Sequence, residues 1–232
     1  MIMVNIRKNL AIYALFLGLA AAGMLYGRQL QSVAGNLRVW EWTNLLWLLL
    51  GIPFLFLQRK AGLPDFLEKG ISQFRRFLIS LAIGIVFGLL DVWVFQVLLH
   101  PEPYQALPPF TQPFPYSLFL YFSGAFEVEV FYRLIPLTIL LLAGSTVWKG
   151  RYFMVFWWFA AIATSIREPL EQMPSGSTLL ITYSLVSGFL MNFLQAVWYR
   201  KAGFLSSLSV RLGHYLVWHI LLGMYIQYVI IT

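Results

Sequence analysis

Apolar runs of bilayer length recur along this chain, and they restrict it to one class of architecture. Eighteen or more apolar residues with few charges read as a transmembrane helix, because in lipid only a helix or a closed barrel satisfies its own backbone N–H and C=O groups. The 232 residues are 60% hydrophobic, 18% aromatic and only 11% charged, against roughly 25% charged in soluble domains. Mean hydropathy is +0.75. The expectation is an all-α, polytopic integral membrane protein of about seven transmembrane helices, a single membrane domain over 1–232. The chain has no cysteine, which excludes disulfides, thiolate metal sites and a cysteine nucleophile. A net charge of +7 does not point to nucleic acid, since the basic residues flank the apolar spans as the positive-inside rule expects.

The first span runs from Leu10 to Gly27 behind Arg7 and Lys8. Despite the small residues Ala20 to Gly23, it reads as an uncleaved span rather than a signal peptide. A second covers Glu41 to Leu57, entered through Trp40, Trp42 and Trp47. After a polar, basic loop at 58–76, the third, Phe77 to Leu99, holds Asp91 and a Gly84–Gly88 GxxxG pattern suited to close helix packing. Residues 100–116 carry six prolines and His100, and read as an irregular outer loop. The fourth span, 117–147, has 31 residues, more than a bilayer needs, and Pro136 predicts a break or kink just after Arg133. The fifth runs from Tyr152 to about Ile166, followed by a connection at 167–171. The sixth covers 178–198, and the seventh, Phe204 to Ile231, holds Arg211, His214 and His219. Placing the 58–76 loop inside puts eleven Lys and Arg on that side, with only Arg28, Arg38 and Arg167 outside. That bias predicts a cytoplasmic N-terminus and an outer C-terminus, in a bacterial-type inner membrane or its equivalent. Trp148, Tyr152, Trp198 and Tyr199 would be inner interfacial aromatics.

Charge inside the spans marks the candidate site. A charged side chain at the bilayer centre costs about 2.5–3.5 kcal/mol on insertion scales, yet Glu127, Glu129 and Arg133 share one apolar run. Glu129 and Arg133 are four apart, about 40° around a helix, so they can pair on one face. Glu127 lies about 200° from Glu129 on a regular helix. Counted at 1.5 Å per residue from the inner basic residues, Arg133 and Arg167 reach roughly 24 Å, Asp91 roughly 22 Å and His214 roughly 20 Å. Polar groups from four spans at similar depth predict one buried cluster. Asn192 and Gln195 read as interhelical hydrogen-bonders, and Ser123 and Ser165 as helix serines bonded to backbone. Trp157 and Trp158 read as packing or lipid-facing residues. His214 and His219, five apart, do not share a face as i,i+4 metal ligands do.

The chain resembles the CPBP family of membrane proteins, which includes CAAX prenyl proteases and bacteriocin-resistance proteins. The family's first motif is two adjacent glutamates, three residues and an arginine. Glu129, Tyr132 and Arg133 fit it, with Val128 in the first glutamate's place and Glu127 one residue early. The second motif is a histidine at the end of the next span, often two residues before a proline; Arg167-Glu168-Pro169 fits, with Arg167 for the histidine. The last is a histidine with an asparagine four residues on. His214 fits, and Trp218 takes the asparagine's place. The resemblance covers roughly 117–222. It implies a CPBP-like helical core there, preceded by the spans and outer loop of 1–116 and followed by the end of the last span, 223–232.

In that family the first glutamate and the second-motif histidine are thought to activate a water, directly or through a metal, while the last histidine and asparagine stabilise the oxyanion. Valine takes no proton, and arginine neither acts as a base nor binds metal. The resemblance leaves three readings. The first is a catalytically degenerate CPBP-like protein, without cofactor or metal, that binds a membrane-protein or lipid-modified peptide partner in the bilayer. Asp91, Glu127 and Glu129 would then balance Arg133, Arg167 and Arg211, with Arg167 pairing with Glu129 or Glu127. The second is an active intramembrane endopeptidase with a non-standard site, in which Glu127, Glu129, Arg133 and His214 hold the motif positions and a zinc-like divalent ion is conceivable. The third is a structural or assembly subunit of a membrane complex.

Overall fold

Three glycines decide how the two most intimately packed helices meet. In the computed structural model, helix α4 (Ser80–Val92) lies along helix α9 (Phe204–Tyr215). A Cβ on Gly84 would sit 1.8 Å from the Val210 carbonyl oxygen, and one on Gly213 would sit 2.3 Å from the Leu81 carbonyl oxygen. Backbone therefore touches backbone from both sides, as the GxxxG pattern implies. Gly88 continues the seam against Val217, whose Cβ would be 2.7 Å from an added methyl. Ser80 and Ser206 close one end of it with a 2.6 Å hydroxyl pair.

The structure describes residues 2–32, 37–99, 101–173 and 175–231, apart from the side chains of 2–5 and of Trp148. His100 and the Trp148 side chain thus lie outside the described residues. Everything regular among the described residues is helical. Helix α1 (Ile2–Gln31) packs along α5 (Tyr116–Glu129). Two short helices, α2 (Trp42–Leu48) and α3 (Ile52–Leu57), follow α1 and pack on it. Helix α6 (Ile135–Thr146) continues α5 through a wide π-helical turn, Val130–Leu134. The irregularity falls on Arg133 itself, with Pro136 in the first turn of α6, where its missing N–H costs nothing. Helix α7 (Phe153–Glu171) packs on α6 and on α8 (Thr178–Ala202). Ser177 caps α8, accepting from the Leu180 N–H, and Gly203 ends it at φ 88°, a conformation open to glycine. Beyond α9 the chain stays helical through a π turn, Leu216–Leu221, the single turn of α10 (Leu222–Tyr225) and a last π turn, Ile226–Ile230.

Three helices are long and apolar enough to cross a membrane: Ile6–Gln31, Phe74–Leu98 and Thr178–Ala202. That is fewer than the seven expected. The 41–57 segment is broken into short helices around Leu49–Gly51. The 116–146 and 204–230 runs carry ionised groups turned inward. The expected connection at 167–171 is helical instead, because α7 runs through Pro169 to Glu171. The proline-rich segment 101–115 is irregular as expected, but it is not a free loop: Thr111 is fully buried, and the Phe110 ring stacks on Trp218 with centroids 4.9 Å apart. The main core gathers Tyr13, Phe126, Val130, Leu134, Trp157, Tyr199 and Phe204.

The α4–α9 seam yields a direct test. Gly84→Ala forces a methyl into a carbonyl oxygen and should cost at least the roughly 1–3 kcal/mol typical of overpacking. Gly18→Ala, with nothing within 4 Å of the new methyl, should be neutral or stabilising by up to about 1 kcal/mol. Thermal unfolding of the detergent-solubilised variants checks the contrast, and equal melting temperatures would refute the backbone contact.

Candidate functional site

The polar centre is built by α5, α7, α8 and α9, each contributing residues at helical spacing. Along α7, Ala160, Ala161, Thr164, Ser165 and Glu168 recur three to four residues apart and are all buried. On α8, Asn192 and Gln195 face the same interior, and on α9 so do Ser207 and Arg211. The small residues admit the long guanidinium of Arg211, which is only 1% exposed.

Arg211 bridges two carboxylates. Its Nη1 and Nη2 donate to the two oxygens of Glu168 at 2.8 and 2.6 Å, a bidentate pairing. Its Nε donates to Glu129 Oε1 at 3.3 Å. Glu129, wholly buried, also accepts from Gln195 Nε2 at 2.7 Å and from the Ser207 hydroxyl. Arg211 Nη2 further donates to Gln195 Oε1 at 3.0 Å and Asn192 Oδ1 at 3.1 Å.

Glu129 thus pairs with Arg211, across helices, and not with Arg133. Arg133 turns toward α7 and α8. It donates to the carbonyls of Tyr132 at 2.7 Å, Thr164 at 3.2 Å and Asn192 at 2.9 Å, and to the Asn192 side chain. Three backbone carbonyls and the Asn192 side chain offer this fork-shaped donor more acceptors than one carboxylate does. Arg167 joins neither Glu129 nor Glu127. It is half exposed, donates to Glu171 at 2.7 Å and lies 4.4 Å over the Tyr132 ring. The expected balance of three acids against three arginines is replaced by Glu129 and Glu168 around Arg211, with Arg133 beside them. Glu168 is the member of this network that sequence reasoning missed. The 3–4 spacing through Thr164 to Glu168 was its signal, hidden by reading 167–171 as a connection.

Two cavities flank this network. The first, about 330 Å³, is lined by Asp91, Glu168, Tyr183, Arg211, His214 and Trp218 among others. Asp91 accepts from Tyr183 at 2.6 Å and lies 2.6 Å from His214 Nε2. The second, about 350 Å³, is lined by Arg38, Glu127 and Val128. Glu127 points away from Glu129, as the 200° separation implies, and its only hydrogen bond among the described residues is a long one of 3.5 Å from Asn44. Gln172, Tyr215 and His219 belong to both walls. Asp91 therefore pairs with His214 and does not extend the Glu129 network, whereas Arg211 is its centre.

The two histidines do meet, with ring centroids 6.2 Å apart, against the expectation from a regular helix. The π turn between them bonds i to i+5 and brings residues five apart into neighbouring turns. His219 Nδ1 is bound to the Phe110 carbonyl and His214 Nε2 to Asp91. Among the described residues no group of three or more His, Asp and Glu is placed to hold a metal ion. Ser123 and Ser165 bond backbone carbonyls one turn earlier, as expected. Trp157 is buried and Trp158 exposed.

A buried guanidinium between two carboxylates cannot lose one member cheaply. Arg211→Met leaves Glu129 and Glu168 without their hydrogen-bonded cation, with Arg133 near but bonded to neither, and should cost on the order of 3–5 kcal/mol. Arg133→Met strands carbonyls rather than a carboxylate and should cost less. Adding Glu129→Gln and Glu168→Gln to Arg211→Met should recover part of the loss. Accumulation and melting temperature of the four proteins check the order, and a greater loss for Arg133→Met would reverse the assignment of the central cation.

Compared with protein-family models, curated proteins and solved structures, the chain has no match.

Proposed function

We propose that this chain is a CPBP-like integral membrane protein whose hydrolytic centre has been replaced by an ion-pair network, and that it binds a membrane peptide or protein partner. One observation carries the reading: Glu129, the only motif glutamate in register, has both oxygens committed to Arg211, Gln195 and Ser207 in a fully buried pocket. A carboxylate held this way is an acceptor already satisfied and is badly placed to take a proton from water. Val128 and Arg167, in the positions of the activating pair, lie apart: one lines the second cavity, the other pairs with Glu171 at the surface.

The reading includes seven spans with a cytoplasmic N-terminus. In its favour, the connections gather at two ends. Asn9 bonds Asp65 at 2.9 Å, Gly203 abuts Asp65, Phe153 approaches Gly62, and Arg75 lies 5.5 Å over Trp198. At the other end, Gln112 accepts from Arg38 N–H at 3.0 Å, and Tyr116 donates to the Arg38 carbonyl at 2.6 Å. Large apolar side chains stand exposed along α1, α4, α7 and α8, as lipid contact requires. Reporter fusions in 58–76 and 101–115 should report opposite sides, and the same side for both would defeat the topology.

A second reading, an endopeptidase with an unusual site, is favoured by the Asp91–His214 pair, an oriented imidazole facing a cavity. Proteolysis decides between them. Purified protein is expected to leave prenylated peptides uncut, and chelators should not move its melting temperature. If it cuts, and Glu127→Gln, Glu129→Gln or His214→Gln abolishes cutting without unfolding the protein, the degenerate reading falls.

A further inference from the structure

The two ends of the bundle differ in charge. Eleven of the sixteen lysines and arginines lie within a few residues of the contacts that join Asn9, Gly62, Asp65, Phe153, Trp198 and Gly203, against two acids, Asp65 and Glu68. Asp65 is itself held by Arg59 at 2.7 Å and by Asn9 at 2.9 Å. At the opposite end Arg28, Arg38 and Arg167 are matched in number by Glu41, Glu102 and Glu171. Basic residues beside a span set its orientation, but one place on this surface has a more particular geometry.

Arg75 and Arg76 lie in the π-helical turn Phe74–Ile79 that leads into α4. Arg76 is turned inward, donating to the Glu68 carbonyl at 2.8 Å and to the Gln73 side chain at 2.9 Å. Arg75 is exposed, and its guanidinium lies 5.5 Å from the centre of the Trp198 ring on α8. Stacking occupies the face of a guanidinium and leaves the N–H groups at its edge free for an anion. Lys201 is exposed and three residues past Trp198, so it stands on the same side of α8. Among the described residues neither Arg75 nor Lys201 forms an ion pair. Arg167, stacked on Tyr132 in a similar way, has Glu171 as its partner. The turn that carries Arg75 also exposes Phe74, Phe77 and Leu78, so a phosphate at the guanidinium edge would have apolar surface beside it.

We propose that Arg75 and Lys201, gathered at Trp198, bind the phosphate of an anionic phospholipid whose chains lie against Phe74, Phe77 and Leu78. A headgroup that carries its own ammonium already balances its phosphate and gains less from two further cations. A free anion would leave the apolar side chains uncovered, which is why a lipid is the occupant. The site requires that the chain sit in a bilayer, and it is the same whether or not the chain is catalytically inert.

The test titrates the full chain, purified in a neutral detergent, with phosphatidylglycerol and separately with phosphatidylcholine of the same chains, and counts bound lipid by native mass spectrometry. Phosphatidylglycerol is expected to bind about tenfold tighter than phosphatidylcholine, and Arg75→Gln and Lys201→Gln should each weaken it about fivefold with phosphatidylcholine unchanged. Arg28→Gln is the control, since Arg28 lies 5.5 Å over the exposed Trp42 ring, beside Glu41, at the other end, and it should leave both lipids as they were. Glycerophosphoglycerol, the headgroup without its chains, should not displace the lipid at equal concentration; displacement would identify a site for a free anion and overturn the proposal. Equal affinity for the two lipids, an Arg28→Gln effect as large as that of Arg75→Gln, or full phosphatidylglycerol binding in either Arg75→Gln or Lys201→Gln would also overturn it. Should Arg75→Gln fail to fold, Lys201→Gln and the comparison of lipids still decide.

Discussion

The interior depends on one guanidinium. Arg211 holds Glu168 from α7 and Glu129 from α5 while its own helix, α9, is pressed backbone to backbone against α4. Desolvating three ionised groups is costly, and the cost is met only because nearly every donor and acceptor is satisfied. Asn192 and Gln195 supply the remaining partners and tie in α8. Four helices are thereby fixed in register by a polar centre, in a protein whose apolar surfaces offer little to choose between one rotation and another. In lipid, where apolar contact does not discriminate helix from tail, such centres and small-residue seams set the packing.

The same constraint explains why the site is poor in free reactive groups. A carboxylate that serves as counter-ion to a buried arginine is not a free base. Glu129 and Glu168 are both used in this way, and Arg133 is spread over backbone carbonyls. The other ionisable groups lie at the margins: Glu127 on one cavity, and the Asp91–His214 pair on the other. The two cavities share Tyr215 and His219 as a common wall, and the His219 ring is stacked on Tyr121 with centroids 4.2 Å apart.

π-helical turns recur where the chain changes task. One carries Arg133, and another carries Trp218 and His219. Each adds a residue to a turn and so rotates the later part of the helix relative to the earlier part. His214 and His219 come within reach of each other for this reason. Pairings inferred from a uniform 100° per residue fail at these places and hold elsewhere.

The sequence by itself determined the class of the fold. Apolar runs separated by basic and proline-rich stretches leave helices as the only regular structure, and the GxxxG pattern in α4 foretold the closest helix contact. It also determined that Asn192 and Gln195 bridge helices, and that Ser123 and Ser165 serve their own backbone. Tertiary structure alone decided which charges meet. Glu129 and Arg133 are neighbours on a helix, but Glu129 goes to Arg211, eighty-two residues away, while Arg133 is taken up by backbone carbonyls and the Asn192 side chain. It likewise turned Arg167 out to Glu171 and drew Glu168 in, since α7 continued as a helix through Pro169. Helical periodicity tells which face a side chain shares, whereas the partner on that face depends on how the helices are rotated and crossed, and that is set by packing throughout the molecule.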